Sequence, residues 1–199
     1  MGKRTYRLEK RARDQQETRR RIVEATVELH REVGPAATTV SAIADRAGVQ
    51  RLTVYRHFPG DHDLLRACSA RVAADNPAPD PAEWAGISDP RARLETALTA
   101  VYRFYRSGEA TLSHVLRDAE RMPQLAEVMA PMGAYLEAVE GMLLEPWEAA
   151  SERNDGGERR LRTAVRHALS FDTWRSFKGQ GLLDAETVEL MCRFVAAAR

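Results

Sequence analysis

The sequence of 199 residues predicts an all-α protein of about nine helices. Three observations lead to this prediction: apolar residues recur at helical spacing, glycines and prolines separate the periodic segments, and no segment has the pattern of a strand. With 44% hydrophobic residues, the chain can bury a core as one domain, or as a small domain attached to a larger one.

The first helix is predicted over Arg19–Val33, where Ile22 and Leu29 lie on one face. Gly34–Pro35 ends it, because glycine permits a left-handed turn and proline cannot continue a helix.

Two much shorter helices follow. Thr39 is a suitable N-cap for the first of them, which ends at the turn Gly48–Gln50. The second places Val54 and Phe58 on one face and ends at Pro59–Gly60. Helices this short are not stable alone, so the pair must pack on a larger body.

The remaining sequence continues the helical pattern. Asp61 begins a fourth helix, which ends in the proline-rich connector 76–81. Further helices are predicted at 89–108, 109–120, 123–152 with a kink at Pro131, 158–178 and 184–198. We therefore expect a basic arm at 1–14, a three-helix domain at 15–60, a connecting helix at 61–75 and a C-terminal helical domain at 76–199.

Charge is distributed unevenly along the chain. Residues 1–58 contain 13 Lys and Arg against 7 Asp and Glu, a net of +6, whereas residues 59–199 carry a net of −5. A basic module on an acidic body suits a polyanionic partner that is held at one end. The alternative is an ordinary solvated charged face.

No stretch is apolar enough to span a membrane, and the charged N-terminus has no secretory signal. We therefore expect a cytoplasmic protein without membrane contact. Cys68 and Cys192 match no metal-ligand spacing and are expected to be buried thiols, so no metal or cofactor is predicted.

The two short helices and their glycine turn have the layout of a helix-turn-helix. If the apolar face is buried, Arg51, Leu52 and Tyr55 share the opposite face, with Gln50 at its edge. In this motif the N-terminal residues of the second helix meet base edges in the major groove. Arg51 suits guanine, Gln50 suits adenine and Leu52 suits a thymine methyl group.

Three residues of the same helix have polar groups suited to phosphate oxygens, which fix register without reading sequence. They are Thr53, Tyr55 and His57. The alternative is that all these side chains are merely exposed on a small helical hairpin.

The stretch from Thr39 to Phe58 has the pattern T-V-x-x-I-A-x-x-A-G-V-x-x-x-T-V-Y-x-H-F. It resembles the DNA-binding signature of the TetR family of bacterial transcriptional regulators. The resemblance covers about residues 15–75, and residues 167–191 look like the last two helices of one subset of that family.

The resemblance implies a homodimeric repressor that grips a near-palindromic operator in double-stranded DNA. It also implies release when a small molecule enters the C-terminal domain. Carried over by position, Ser41, Gln50, Arg51, Leu52 and Tyr55 would face bases, whereas Thr39, Thr53, Tyr55 and His57 would touch phosphate.

The sequence departs from the family pattern at Asp61, where a lysine usually begins the fourth helix. An acid suits the helix dipole there but repels phosphate. A basic arm could compensate by reaching the minor groove, and the alternative is a solubilising tail. The basic residues of the arm are Lys3, Arg4, Arg7, Lys10, Arg11 and Arg13.

Aromatic and methionine side chains in the C-terminal helices indicate a pocket for a small apolar or aromatic effector. The candidates are Tyr102, Tyr105, His114, Met129, Tyr135 and Trp174, and Trp84 belongs to the same aromatic group. For each of them the alternative is a place in the core.

The last two predicted helices carry apolar faces that look too wide for burial on one side, and these faces include Leu190 and Phe194. The predicted dimer contacts are Leu161, Val165, Ala168, Val188, Met191 and Val195. Two helices from each subunit would form a four-helix bundle about a two-fold axis. The alternative is that these faces cover the domain's own core.

The sequence has no HExxH or CxxC pattern, no glycine-rich phosphate loop and no GxSxG turn. No catalytic residue is therefore predicted. Three classes stay open: a ligand-responsive DNA-binding regulator, a constitutive DNA-binding regulator without an effector, and an α-helical enzyme.

Overall fold

In the computed structural model, which describes residues 2–148 and 155–198, the chain forms ten α-helices and, within those ranges, no strand. The helices are α1 Gly2–Glu32, α2 Val40–Ala47, α3 Arg51–His57, α4 Asp61–Asp75, α5 Ala82–Ala85, α6 Pro90–Ala119, α7 Pro123–Glu148, α8 Asp155–Leu169, α9 Phe171–Gly179 and α10 Asp184–Ala197, and a 3-10 turn lies at Pro35–Ala37. The predicted all-α class is confirmed. None of the described helices is long and apolar enough to cross a membrane.

Helix α1 begins at Gly2, so most of the segment predicted as an arm is the N-terminal part of a 31-residue helix. Residues 3–33 contain neither Gly nor Pro, and nothing in the sequence interrupts the helix. The side chains from Tyr6 to Glu17 are exposed. The side chains of Lys3 and Arg4 lie outside the described residues.

Helix α6 continues through Gly108, where the sequence predicts an end, and so joins two predicted helices into one of 30 residues. Among the described glycines, positive φ values occur at Gly34, Gly48 and Gly181, and Gly108 is not one of them. A glycine that stays helical costs only about 1 kcal/mol relative to alanine, which a well-packed helix absorbs.

The C-terminal helices also differ from the prediction. Helix α7 runs through Pro131 and Pro146 to Glu148, and the predicted extension to Glu152 lies outside the described residues. The short helix α5, which follows the connector, is an element that the sequence does not predict.

The predicted helix 158–178 is divided at Ser170 into α8 and α9. The Tyr102 hydroxyl donates to the Ala168 carbonyl at 2.8 Å, and the Tyr105 hydroxyl donates to the Leu169 carbonyl at 2.6 Å. The two tyrosines thus donate hydrogen bonds to the last carbonyl groups of α8, which have no partner within the helix.

The chain divides into two compact units. The N-terminal unit comprises Met1–Asp75 and Glu109–Met129, and the second unit comprises Asn76–Gly108 and Ala130–Arg199. The residues of α6 and α7 around the turn at 120–122 therefore pack with the N-terminal helices, although the sequence predicts them to belong to a C-terminal domain. Leu65, Val115 and Leu125 form one buried cluster of this unit.

A second set of contacts in the N-terminal unit joins the end of α1 to α6. The Asp118 carboxylate accepts a hydrogen bond from the Ala36 amide at 2.9 Å and pairs with Arg117 at 2.7 Å. The hydrogen bond from Arg117 lowers the pKa of Asp118. His30 is buried beside this pair, and burial lowers its pKa to about 4.

The second unit has an aromatic core. The rings of Tyr105, Phe171 and Trp174 lie 5.4 to 6.0 Å apart. The Trp174 indole donates to Asp184 at 2.9 Å, and Arg106 pairs with the same carboxylate at 2.7 Å. Polar groups of the core are thereby bonded to neighbours in the same unit.

The residues predicted as dimer contacts belong to this core. Leu161, Val165, Ala168, Val188, Met191 and Val195 are all buried within the single chain. The apolar faces of α8 and α10 are therefore covered by neighbouring helices, and the prediction that they exceed the needs of one subunit is wrong for these six residues. Leu190 and Phe194, in contrast, stay exposed.

We expect Gly34→Ala to lower the free energy of unfolding by about 3 to 4 kcal/mol, because two costs combine. Gly34 has φ 92° and ψ 161°, a backbone conformation that residues other than glycine rarely adopt. A Cβ atom there would lie 2.5 Å from a guanidinium nitrogen of Arg117 and 2.7 Å from the Asp118 carboxylate, so both side chains would have to move and the carboxylate would lose its hydrogen bond from the Ala36 amide.

Gly48→Ala is the matched control, because Gly48 also has a positive φ, 65°, but no atom within 4 Å of the added Cβ. It should cost only about 1 kcal/mol. Urea unfolding of both variants gives the comparison, and equal losses would contradict the role assigned to the Asp118 contact.

Candidate nucleic-acid interface

Helices α2 and α3 have eight and seven residues, so packing must hold them in place. Val54 and Phe58 are buried in one cluster with Ile22 of α1 and with Ile43 and Ala44 of α2. The predicted inward face of α3 is thus the face that the structure buries. Its opposite face is left to solvent.

Local hydrogen bonds fix the ends of α2. The Thr39 hydroxyl accepts from the Ala42 amide at 3.1 Å, which confirms the predicted N-cap. Gly48 adopts the left-handed conformation, and the Val49 amide donates to the Ala44 carbonyl at 2.9 Å. The turn between the two helices is therefore closed by backbone bonds and by a glycine that the geometry requires.

Two arginines tie the short helices to α1 from outside the core. Arg46 of α2 pairs with Glu32 at 2.8 Å and Glu28 at 3.2 Å. Arg19 of α1 donates to the His57 carbonyl at 3.2 Å and lies 4.1 Å from the centre of the Phe58 ring. The α2–α3 pair is therefore held along both of its edges.

The outward face of α3 carries the residues predicted to read bases. Leu52 is 77% exposed and Tyr55 is 47% exposed, and Arg51 and Gln50 are exposed beside them. Gln50 precedes α3 without using its side chain as a cap. A leucine and a tyrosine in water gain nothing for folding, which is the pattern of a surface kept for contact with a partner.

The other predicted DNA contacts differ in their exposure. Thr39 is exposed, whereas Ser41, Thr53 and His57 are half-buried. Burial and the neighbouring charges of Arg56 and Arg19 lower the pKa of His57. The imidazole is therefore neutral at pH 7 and can meet a phosphate through a hydrogen bond without a charge of its own.

Helix α4 begins with acidic residues. Asp61 and Asp63 lie in its first turn, where they complement the helix dipole, and both are exposed. The departure at Asp61 therefore leaves no cation at the start of α4. His62 faces Glu127 at 3.7 Å in the same unit.

The structure divides the six predicted effector residues between the two units. His114 and Met129 belong to the N-terminal unit, and the other four belong to the second unit. Tyr102, Tyr105 and Trp174 are fully buried, with their polar atoms bonded to groups of the core. Tyr135 is half-buried and donates to the Pro79 carbonyl at 2.9 Å.

Trp84 has a feature that the sequence does not show. Its side chain is fully buried on α5, and its indole N–H has no hydrogen-bond acceptor within the described structure. Burial of an unpaired donor costs about 1 to 3 kcal/mol. The sequence shows that Trp84 is one of the aromatic residues of the C-terminal part of the chain. Only the structure shows that its N–H lacks an acceptor.

No group of three or more His, Cys, Asp or Glu side chains that could hold a metal ion occurs in the described ranges. Cys68 and Cys192 are free and buried, and burial raises the pKa of Cys68 to about 12 and that of Cys192 to about 11. Neither thiol is available as a reactive nucleophile.

Comparison with known proteins identifies the region just described. Residues 22–68 match the family model of bacterial regulatory proteins of the tetR family. Two HTH-type transcriptional regulators of Pseudomonas putida, SrpR and the uncharacterised TtgW, are each 41% identical over 61 residues, or 31% of this chain. The matched regions span 29% and 46% of those relatives, less than two thirds of their length.

Solved structures extend the likeness of fold beyond the matched region. A tetR-family transcriptional regulator from Streptomyces coelicolor superposes with a TM-score of 0.60 at 20% identity, covering 92% of this chain and 80% of that one. NalD, described as the secondary repressor of a multidrug efflux pump in Pseudomonas aeruginosa, gives 0.57 at 20% identity, with 93% and 96% covered. At such identities the likeness establishes the fold alone.

Proposed function

Since the chain belongs to the TetR family of bacterial transcriptional regulators, we propose that it is a repressor that binds a palindromic operator as a homodimer and releases it on binding a small molecule. The exposed face of α3 carries the DNA-binding part of this proposal. Arg51, Leu52 and Tyr55 project from a helix whose other face is locked into a core. Relatives described as transcriptional regulators support this reading over an enzyme.

The side chains proposed to read bases each have a partner on DNA that their chemistry suits. The Arg51 guanidinium matches the two acceptors of guanine in the major groove, and the Gln50 amide matches adenine. Leu52 matches the thymine methyl group, which is apolar. Ser41 of α2 is proposed as a further contact to bases, whereas Thr39, Thr53, Tyr55 and His57 supply hydrogen-bonding groups for phosphate oxygens.

Arg51→Ala should reduce affinity for the preferred site by about 1 to 3 kcal/mol for each half-site and relax base choice at one position in each. The preferred site is selected from a random pool of duplexes, and binding is measured by gel shift on that site and on a random duplex. Tyr55→Ala, which removes a phosphate contact, should weaken both complexes with less change in base preference. Equal losses on both duplexes for Arg51→Ala would reject its role in base readout.

The proposed homodimer contact lies on exposed residues of α10. It does not include the six residues that are buried in α8 and α10. Leu190 and Phe194 are 40% and 46% exposed on α10, one turn apart, and Ala197 continues their stripe. The ring of His167 on α8 lies 5.7 Å from that of Phe194. A second copy with the same stripe would cover these side chains about a two-fold axis, with recognition helices about 34 Å apart.

Replacing Leu190 and Phe194 with Glu should give a folded monomer that loses tight operator binding, because two charges would enter the subunit contact. Ala196→Glu is the matched control: Ala196 is exposed on α10 but lies roughly 160° around the helix from Phe194. Sedimentation velocity gives the oligomeric state. A dimer that survives the double substitution would exclude this surface.

The effector is proposed to bind in the second unit, where Trp84 has an unpaired indole N–H. A ligand that buries its apolar part and offers an oxygen or nitrogen acceptor would satisfy that donor. The second unit, Asn76–Gly108 and Ala130–Arg199, then serves both for effector binding and for dimerisation. A constitutive regulator without an effector is the second candidate, and it predicts that no compound releases the operator.

A panel of aromatic carboxylates and ketones, screened for release of labelled operator, tests the effector. Trp84→Phe should weaken the effect of an active compound by about ten-fold, the loss of one hydrogen bond in a buried site. Trp174→Phe is the control, because its N–H is already bonded to Asp184. Equal responses of the two variants would exclude Trp84 as the ligand's donor.

A further inference from the structure

The phosphate contacts proposed for Thr39, Thr53, Tyr55 and His57 are hydrogen bonds from uncharged side chains. A recognition helix is held in register by contacts to phosphates beside the groove. Asp61 occupies the position from which a lysine would make such a contact, and it repels phosphate. The cationic contact that a lysine would supply at this position has to come from another residue.

A cleft in the N-terminal unit has the required chemistry. It has a volume of about 440 Å³ and is lined by Arg19, His57, Asp63, Arg66 and Ala67. Helices α1, α3 and α4 each contribute to it, and His57 is the last residue of the recognition helix. The cleft therefore lies directly next to the surface that meets the bases.

Arg19 is held in a defined position in this cleft. One nitrogen of its guanidinium donates to the His57 carbonyl, and the group stacks on the Phe58 ring. The carbonyl bond occupies one of five N–H donors, so others stay available to an incoming oxygen. An arginine fixed in this way loses little side-chain entropy when it binds an anion.

Arg66 supplies a second cation without a partner of its own. It is exposed on α4 and makes no ion pair within the described residues, whereas Arg71 on the same helix pairs with Asp75 at 2.9 Å. Asp63 is the one acid of the cleft lining and also lacks a pair in the described ranges. Two guanidinium groups against one carboxylate leave a net positive charge for an anion.

We propose that Arg19, Arg66 and His57 form a phosphate-binding cleft that holds the DNA backbone beside α3 and replaces the contact that Asp61 cannot make. Arg19 and Arg66 provide charge, and the His57 ring provides a hydrogen bond. Burial, and after it the charges of Arg56 and Arg19, lower the pKa of His57, so the ring offers a hydrogen bond and not a charge at pH 7. The inference rests on the proposed DNA-binding function and adds residues outside the base-reading face.

The test uses the full-length protein and measures affinity against salt concentration, on the selected site and on a random duplex. Because each subunit of the proposed homodimer would lose one phosphate contact, Arg66→Gln should weaken both complexes by at least roughly ten-fold and reduce the slope of log affinity against log salt by about 1.8, which is about 0.9 for each subunit. Arg66→Lys, which keeps the charge, should recover most of the slope. Asp63→Asn should tighten both complexes, because it removes the acid from the lining.

Arg71→Gln is the matched control, since it removes an arginine of the same helix outside the cleft. A wild-type slope for Arg66→Gln, equal to that of Arg71→Gln, would overturn the proposal. The design separates this failure from failure of the proposed function, in which the unmodified protein would prefer no DNA sequence at all.

Free phosphate is the other source of the same chemistry. Inorganic phosphate should displace DNA no better than chloride does at the same ionic strength. A single phosphate ion makes none of the other contacts that the duplex makes. If phosphate instead binds tightly, depends on Arg66 and leaves the DNA salt slope of Arg66→Gln unchanged, the cleft serves a small anion and the assignment to the DNA backbone is wrong.

Discussion

The burial of Val54 and Phe58 against α1 is the constraint on which the DNA-binding surface depends. Helices of eight and seven residues have too few internal hydrogen bonds to persist alone, so the core decides how they are oriented. Once these two side chains are inside, helical geometry forces Arg51 and Tyr55 outward. Phe58 also provides the ring on which Arg19 stacks, so the same core positions the proposed phosphate cleft.

The helix-turn-helix could be predicted because its signals are local. A capping threonine, a left-handed glycine and a four-residue apolar spacing each act within one or two turns, and the structure contains all three. The same reasoning fails at Gly108 and Ser170. A glycine ends a helix only where packing favours a left-handed turn, and the break at Ser170 depends on two tyrosine hydroxyls more than sixty residues earlier in sequence.

Helical periodicity predicts which face of α3 is exposed, but it does not predict which apolar residues of α8 and α10 are exposed. It distinguishes buried from exposed faces of a helix, but it does not say whether a buried face meets the same chain or a second one. Val165 and Val195, which periodicity assigns to a subunit contact, are instead core. Leu190 and Phe194 belong to the same apolar segment, and only the packed structure shows that they stay exposed. Trp84 is a similar case. Whether its indole N–H has an acceptor depends on the atoms packed around it, which the sequence does not give.

The acidic residues near the interface bear on specificity. Asp61 and Asp63 reduce the attraction of α4 for any duplex, because every sequence presents the same phosphates. Contacts to base edges do not suffer this loss, since they depend on hydrogen-bonding patterns rather than on net charge. In the proposed complex, Arg19 and Arg66 fix the position of α3 on the DNA backbone. Because Asp63 offsets part of their charge, they do not give tight binding to every DNA sequence. A larger share of the binding free energy then falls to Arg51 and its neighbours on α3, which are the residues proposed to distinguish one sequence from another.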